Sequence, residues 1–166
     1  MKKIPSRFIG IVLLISTLLF SCGRRRGPLT EKDSAVIKDT VLQLMAGIAR
    51  DLSANGPAVW LNYFDDTPGF FMVSDGDLDF PDYNTAKQFI LGTLVKNIPS
   101  ITLNWSAVRV DPLSRHLAAI VAGFHEVLTP ATGEKIPVDG YFSGTAVLTA
   151  HGWKLRNLHW STKKLK

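Results

Sequence analysis

From Ser100 to Thr162 apolar and polar residues alternate with a period of two, and this pattern closes off most folds at once. Such alternation sends successive side chains to opposite faces of a sheet, one face packed and the other wet. Four strand-length runs are read, at about 100–111, 115–128, 136–149 and 153–162. Turn chemistry separates them: Asp111-Pro112 first, then Pro130 with Gly133, then His151-Gly152. Gly152 can take the positive φ that a two-residue hairpin turn requires. Long runs joined by short turns make an antiparallel meander, and strands of this length in a small chain must curl.

The preceding residues keep a helical period instead. Ile37, Val41, Leu44, Ile48 and Leu52 form one apolar stripe on a helix of about five turns. Asn55-Gly56 stops it, and Pro57 suits the first turn of a shorter helix running through Phe64. Residues Gly69 to Ser74 read as a first strand and the acidic stretch Asp75 to Asp82 as a loop. Asn84 is expected to cap a third helix carrying Ala86, Phe89, Ile90, Leu94 and Ile98 up to Pro99. The pattern predicts one α+β domain over residues 34–163. Three helices in its N-terminal half pack on a strongly curved, mainly antiparallel sheet.

Strand parity assigns the faces. Val138, Gly140, Phe142, Gly144, Ala146 and Leu148 share the concave, helix-facing side, with Asp139, Tyr141, Ser143 and Thr145 opposite. In the last run Lys154 and Arg156 belong outside, which sends Leu158 and Trp160 outward and Asn157 and His159 inward. Ile101, Leu103 and Trp105 are out of phase with Val108 and Val110, so a bulge is expected near Ser106.

The chain opens differently. Lys2, Lys3 and Arg7 precede an apolar stretch, Phe8 to Phe20, that is shorter than the roughly 20 residues of a membrane span. It ends at Ser21-Cys22, and Cys22 is the only cysteine. This resembles a lipobox, although Phe20 stands where a small residue is usual. The reading is a lipoprotein signal over 1–21, with lipidated Cys22 beginning a tether over 22–33 that attaches the chain to a membrane. A plain secretory signal with an incidental cysteine is the alternative. Arg24, Arg25 and Arg26 would sit against anionic headgroups. Gly23 in place of aspartate gives no inner-membrane retention signal, so the expected address is the bacterial outer membrane, facing the periplasm. With one cysteine there is no intrachain disulfide. Three of the 19 basic residues lie in the leader and three beside the anchor. The domain itself is left without a basic stripe, and nucleic acid is not an expected partner.

The order of elements, together with the closing Gly152-Trp153-Lys154-Leu155-Arg156-Asn157-Leu158-His159-Trp160-Ser161, resembles the SnoaL-like branch of the nuclear transport factor 2-like superfamily. Phe64-Asp65-Asp66 fits the acidic turn usual there after the second helix. The resemblance spans about residues 34–162 and implies a cone-shaped fold. It does not choose a function, since the superfamily holds isomerases, dehydratases, epoxide hydrolases, polyketide cyclases and non-catalytic binders. Related domains commonly pair through the convex sheet face. Tyr141, Val147, Leu158 and Trp160 would supply that seam here, giving a homodimer.

Acid–base catalysis in such a cone needs a titratable group and a second polar partner. Catalytic relatives place a carboxylate deep in the pocket, whereas the inward faces of the last two runs offer only Asn157 and His159. Glu126, near a strand end, can face either way. His125 and His159 are the candidate bases; alternatively, His159 hydrogen-bonds the backbone and steadies the fold. Phe71, Tyr83, Trp105 and Phe142, with Asn157 and His159, are the candidate lining for a small apolar ligand, the alternative being plain core. Asp75-Gly76-Asp77-Leu78-Asp79 fails as a calcium loop, with Phe80 and Ala86 where glycine and glutamate belong. The four histidines lack metal-ligand spacing, so no metal and no cofactor are expected. The functional expectation is a membrane-anchored, non-catalytic domain that binds a small ligand or a protein. The alternative is a small lyase, isomerase or hydrolase with a cone histidine as base.

Overall fold

Thr30 starts the first helix by a reciprocal cap. Its hydroxyl accepts from the Asp33 amide at 3.1 Å, and the Asp33 carboxylate accepts from the Thr30 amide at 3.3 Å. The computed structural model describes residues 27–163, so the signal segment, Cys22 and Arg24–Arg26 lie outside the described residues. Helix α1 (Glu31–Asn55) buries Ile37, Val41, Met45, Ile48 and Leu52. Met45, not Leu44, completes the stripe. Gly56 ends the helix at φ 77°, where a Cβ would lie 2.7 Å from the Pro99 carbonyl oxygen. A 3₁₀ turn, Pro57–Val59, leads into the short α2 (Trp60–Tyr63).

The acidic stretch is not a loop throughout. Strands β1 (Phe71–Ser74) and β2 (Asp77–Phe80) form a hairpin about Asp75-Gly76, whose φ values of 48° and 102° suit a tight turn. The third helix, α3 (Tyr83–Phe89), is capped by Asp82 and not Asn84: Asp82 Oδ1 accepts from the Thr85 amide at 2.8 Å. It widens into a π-helical segment, Ile90–Leu94, before a last turn, Val95–Asn97.

Four long strands follow: β3 (Ser100–Ser114), β4 (Leu117–Thr129), β5 (Ile136–Thr149) and β6 (Gly152–Thr162). The sheet order is β2-β1-β6-β5-β4-β3, antiparallel except where β1 lies parallel to β6. Asp111-Pro112 does not turn. β3 is an edge strand, where proline is tolerated, and it runs past Pro112 to turn at Arg115-His116. Helix α1 lies across the concave face, tied there by Trp105 Nε1 donating to the Met45 carbonyl at 3.0 Å and the Leu103 amide to Ser53 Oγ at 3.1 Å. This is the predicted α+β architecture, three helices on a curved and mainly antiparallel sheet.

Two bulges set the faces. The first, between Ser106 and Arg109 with Ala107 at φ 47°, makes the expected phase change in β3. The second was not expected. Gly144 faces Leu158 and Ala146 faces Leu155, so Arg156 and Asn157 together oppose Thr145. Phase flips there, carrying Leu158 and Trp160 inward and Asn157 and His159 outward, the reverse of the sequence reading. Trp160 packs among Trp60, Phe124, Phe142 and Trp105, with ring centroids 4.8–5.8 Å apart. Packing the indole against these rings removes apolar surface from water that simple alternation would leave on the wet face.

Candidate functional site

Inward phase in β4 runs Ala118, Ile120, Ala122, Phe124, and continues to Glu126 and Leu128. The glutamate therefore points at the wide end of the cone, flanked in register by Leu103 on β3 and Val138 on β5. There the sheet, the β1–β2 hairpin and the π-helical segment enclose a cavity of about 370 Å³. Six aromatic residues line it (Trp60, Phe64, Phe80, Phe89, Phe124 and Trp160), with Ile90, Leu94, Ile101, Leu128 and Val138 among the aliphatics. Exposed Phe89 and Thr162 stand at its rim. Gly140 makes one wall possible: a Cβ there would meet the Phe124 ring at 2.7 Å and the Ser161 carbonyl oxygen at 2.2 Å. The π-helical geometry offsets Ile90 and Leu94 against the cavity, a distortion often found at functional sites.

Three lining side chains are polar. Ser74 donates to Asp79, and Thr162 Oγ1 donates to Asp75 Oδ2 at 2.6 Å, so both are engaged at the rim. Glu126 is the third, and among the described residues it has no hydrogen-bond or ion-pair partner. Burial among apolar neighbours pushes its carboxyl up to about 7. Both protonation states are then accessible near neutrality, and the group can accept a proton, donate one, or pair with a single cation.

The residues singled out in sequence lie elsewhere. Asn157 and His159 sit on the outer face, in one shallow depression with Phe71, and His159 is exposed. His125 is exposed on the same face, its Nδ1 3.0 Å from Asp139 Oδ1 in the neighbouring strand. Neither histidine reaches the cone, which corrects their reading as cone bases. Trp105 and Phe142 are inside but behind Trp160; Phe142 is fully buried and Trp105 stacks on Trp160 at 5.7 Å. Tyr83 packs edge-on to Phe70 at 6.3 Å. None of the six expected lining residues reaches the cavity. Among the described residues no three His, Cys, Asp or Glu side chains are grouped so as to hold a metal ion.

No family model and no curated protein matches the sequence. Solved structures do match the fold. One is a nuclear transport factor 2-like superfamily protein from Salmonella enterica serovar Typhimurium LT2, with TM-score 0.67 and 14% identity, over 80% of this chain and 94% of that one. Another is a type 2 hexachlorocyclohexane dehydrochlorinase, LinA, with TM-score 0.66 and 9% identity, over 82% and 92%. A third is a nuclear transport factor 2-like protein of unknown function from Shewanella oneidensis MR-1, with TM-score 0.56 and 15% identity, over 74% and 97%. At such identities the likeness establishes the fold alone.

Proposed function

We propose, from a nuclear transport factor 2-like fold with an open apolar cone, that this chain is a membrane-anchored domain binding a small, largely apolar molecule. The cavity with its unpartnered Glu126 carries the reading: apolar walls and one placed polar group are the composition of a ligand site. Native mass spectrometry of the chain from residue 27 onward should show a retained small molecule, or one-to-one uptake of added naphthalene. Val138→Trp, which fills the cavity, should abolish it. A wild-type domain that neither retains nor takes up a ligand would remove the reading.

The anchor is the lipid on Cys22, with the domain facing the periplasm from the outer membrane. Its support is the apolar leader that ends at a lone cysteine. Among the described residues no helix is long and apolar enough to cross a membrane. Cys22→Ser should yield an uncleaved or soluble protein, and a variant processed and sedimenting with membranes like wild type contradicts the anchor. Homodimer formation through the outer sheet face belongs to the same proposal. Since Leu158 and Trp160 point inward, its apolar contacts would be Phe71, Val121 and Tyr141, which are 39%, 47% and 60% exposed. Sedimentation equilibrium measures the state directly.

A second reading, a lyase, isomerase or hydrolase, is favoured by one observation: a carboxyl titrating at about 7 inside the cone. Its base would be Glu126, not His125 or His159. The absence of a second free polar side chain among the described lining residues weighs for binding, because proton transfer alone leaves developing charge unstabilised.

A further inference from the structure

Among the described residues that line the cavity there is no Lys, Arg or His. An anionic ligand would find no counter-charge and would meet Glu126. Asp79, to which the lining residue Ser74 donates, adds negative potential near the mouth. A neutral hydrocarbon would fill the space and leave the carboxyl unsatisfied. An alcohol would supply one hydrogen bond and no charge. An ammonium group supplies both, and the ring faces around it attract a cation as well. The rings are in contact with one another: Trp160 meets Phe124 at 4.8 Å and Trp60 at 5.8 Å, and Trp60 stacks on Phe64 at 5.5 Å. A volume of about 370 Å³ lies at the small end of the range for small-molecule sites.

We propose that the cavity takes a small hydrophobic amine, its ammonium on Glu126 and its apolar body among Trp60, Phe124 and Trp160. This rests on the small-ligand reading and names the ligand's class. Glu126 then acts as the selecting residue: desolvation that is unfavourable in the empty protein is offset when the cation arrives. The rings fix the size of the body and leave its detailed shape open.

Three near-isosteric probes test it on the mature chain at pH 8: 2-phenylethylamine, 2-phenylethanol and 3-phenylpropanoate. Binding is read by calorimetry and by the emission of Trp60 and Trp160. The amine should bind about tenfold or more tighter than the alcohol, and the propanoate most weakly. Glu126→Gln should bring the amine down to the alcohol's affinity while leaving the alcohol within about twofold. Equal affinity for amine and alcohol, or preference for the propanoate, overturns the amine assignment and leaves the apolar site standing. Failure of all three to bind overturns the amine assignment, and overturns the small-ligand reading too if naphthalene is not taken up and no ligand is retained. The ranking on the wild-type chain decides between these outcomes even if the variant does not fold.

Discussion

Asp65 is fully buried and Glu126 half-buried, at different places in the same fold, and their surroundings treat them differently. Asp65 accepts at Oδ2 from Arg156 Nε at 2.6 Å and from Thr67 Oγ1 at 2.6 Å, its Oδ1 has no hydrogen-bond partner among the described residues, and its amide donates to the Leu155 carbonyl at 2.7 Å. Arg156 also donates to Thr67 Oγ1 at 2.7 Å. Gly69 leaves room for this guanidinium, which a Cβ would approach to 3.0 Å. The network fastens the crossing from α2 to the sheet against β6. Glu126 has apolar neighbours and no such donors. Breaking a buried ion pair costs stability, whereas a carboxyl among apolar neighbours without donors destabilises the folded state when it ionises.

The contrast can be broken most directly at Asp65. Asp65→Ala strands the Arg156 charge at the edge of the core, and urea denaturation should show a loss of about 3–5 kcal/mol. A loss under about 1 kcal/mol would mean that the corner holds without the pair.

Glu126→Gln should act in the other direction. The folded carboxyl titrates at about 7, above its ordinary value of 4.5. The folded state therefore keeps a proton that the unfolded chain releases, and stability falls as pH rises between these values. Partial exposure discounts the effect to about 2 kcal/mol. The variant should gain that much over wild type at pH 8 and match it near pH 4. Parallel stability curves across that range would show the carboxyl to be solvated.

The smallest effect belongs to His159. Exposed on the outer sheet, it should tolerate His159→Ala within about 0.5 kcal/mol. A loss of several times that size would return it to the interior and overturn the phase of β6.

The periodic parts of the molecule were readable because their signals are contiguous. The stripe along α1, the phase of β5 and the mismatch that marks the Ser106 bulge can all be counted off the residues. The phase flip in β6 cannot, because the doubled residues, Arg156 and Asn157, are both polar and mask the extra position. The decisive preference, Trp160 packed inward and His159 exposed, arises only when the rings of Trp60, Phe124 and Phe142 assemble from distant segments. The β1–β2 hairpin did carry a signal, Asp75-Gly76, hidden by the density of acids around it. Glu126 is in phase with Phe124, but its place near a strand end left both faces open to it. A carboxylate aimed into the cone breaks the hydropathy rule, and that is what makes the site a candidate.

The doubled position in β6 also has a consequence for descent. Removing either Arg156 or Asn157 would leave simple alternation from Leu155 to Leu158, with Trp160 still inward and His159 still outward. Keeping both residues while straightening the bulge would instead bring the imidazole of His159 to the inner face, in place of an indole. A register change without any change of composition thus separates a cone walled by tryptophan from a cone holding a proton acceptor. Slippage in this strand is a step by which a lineage could exchange a receptacle for a reaction vessel without rebuilding the scaffold.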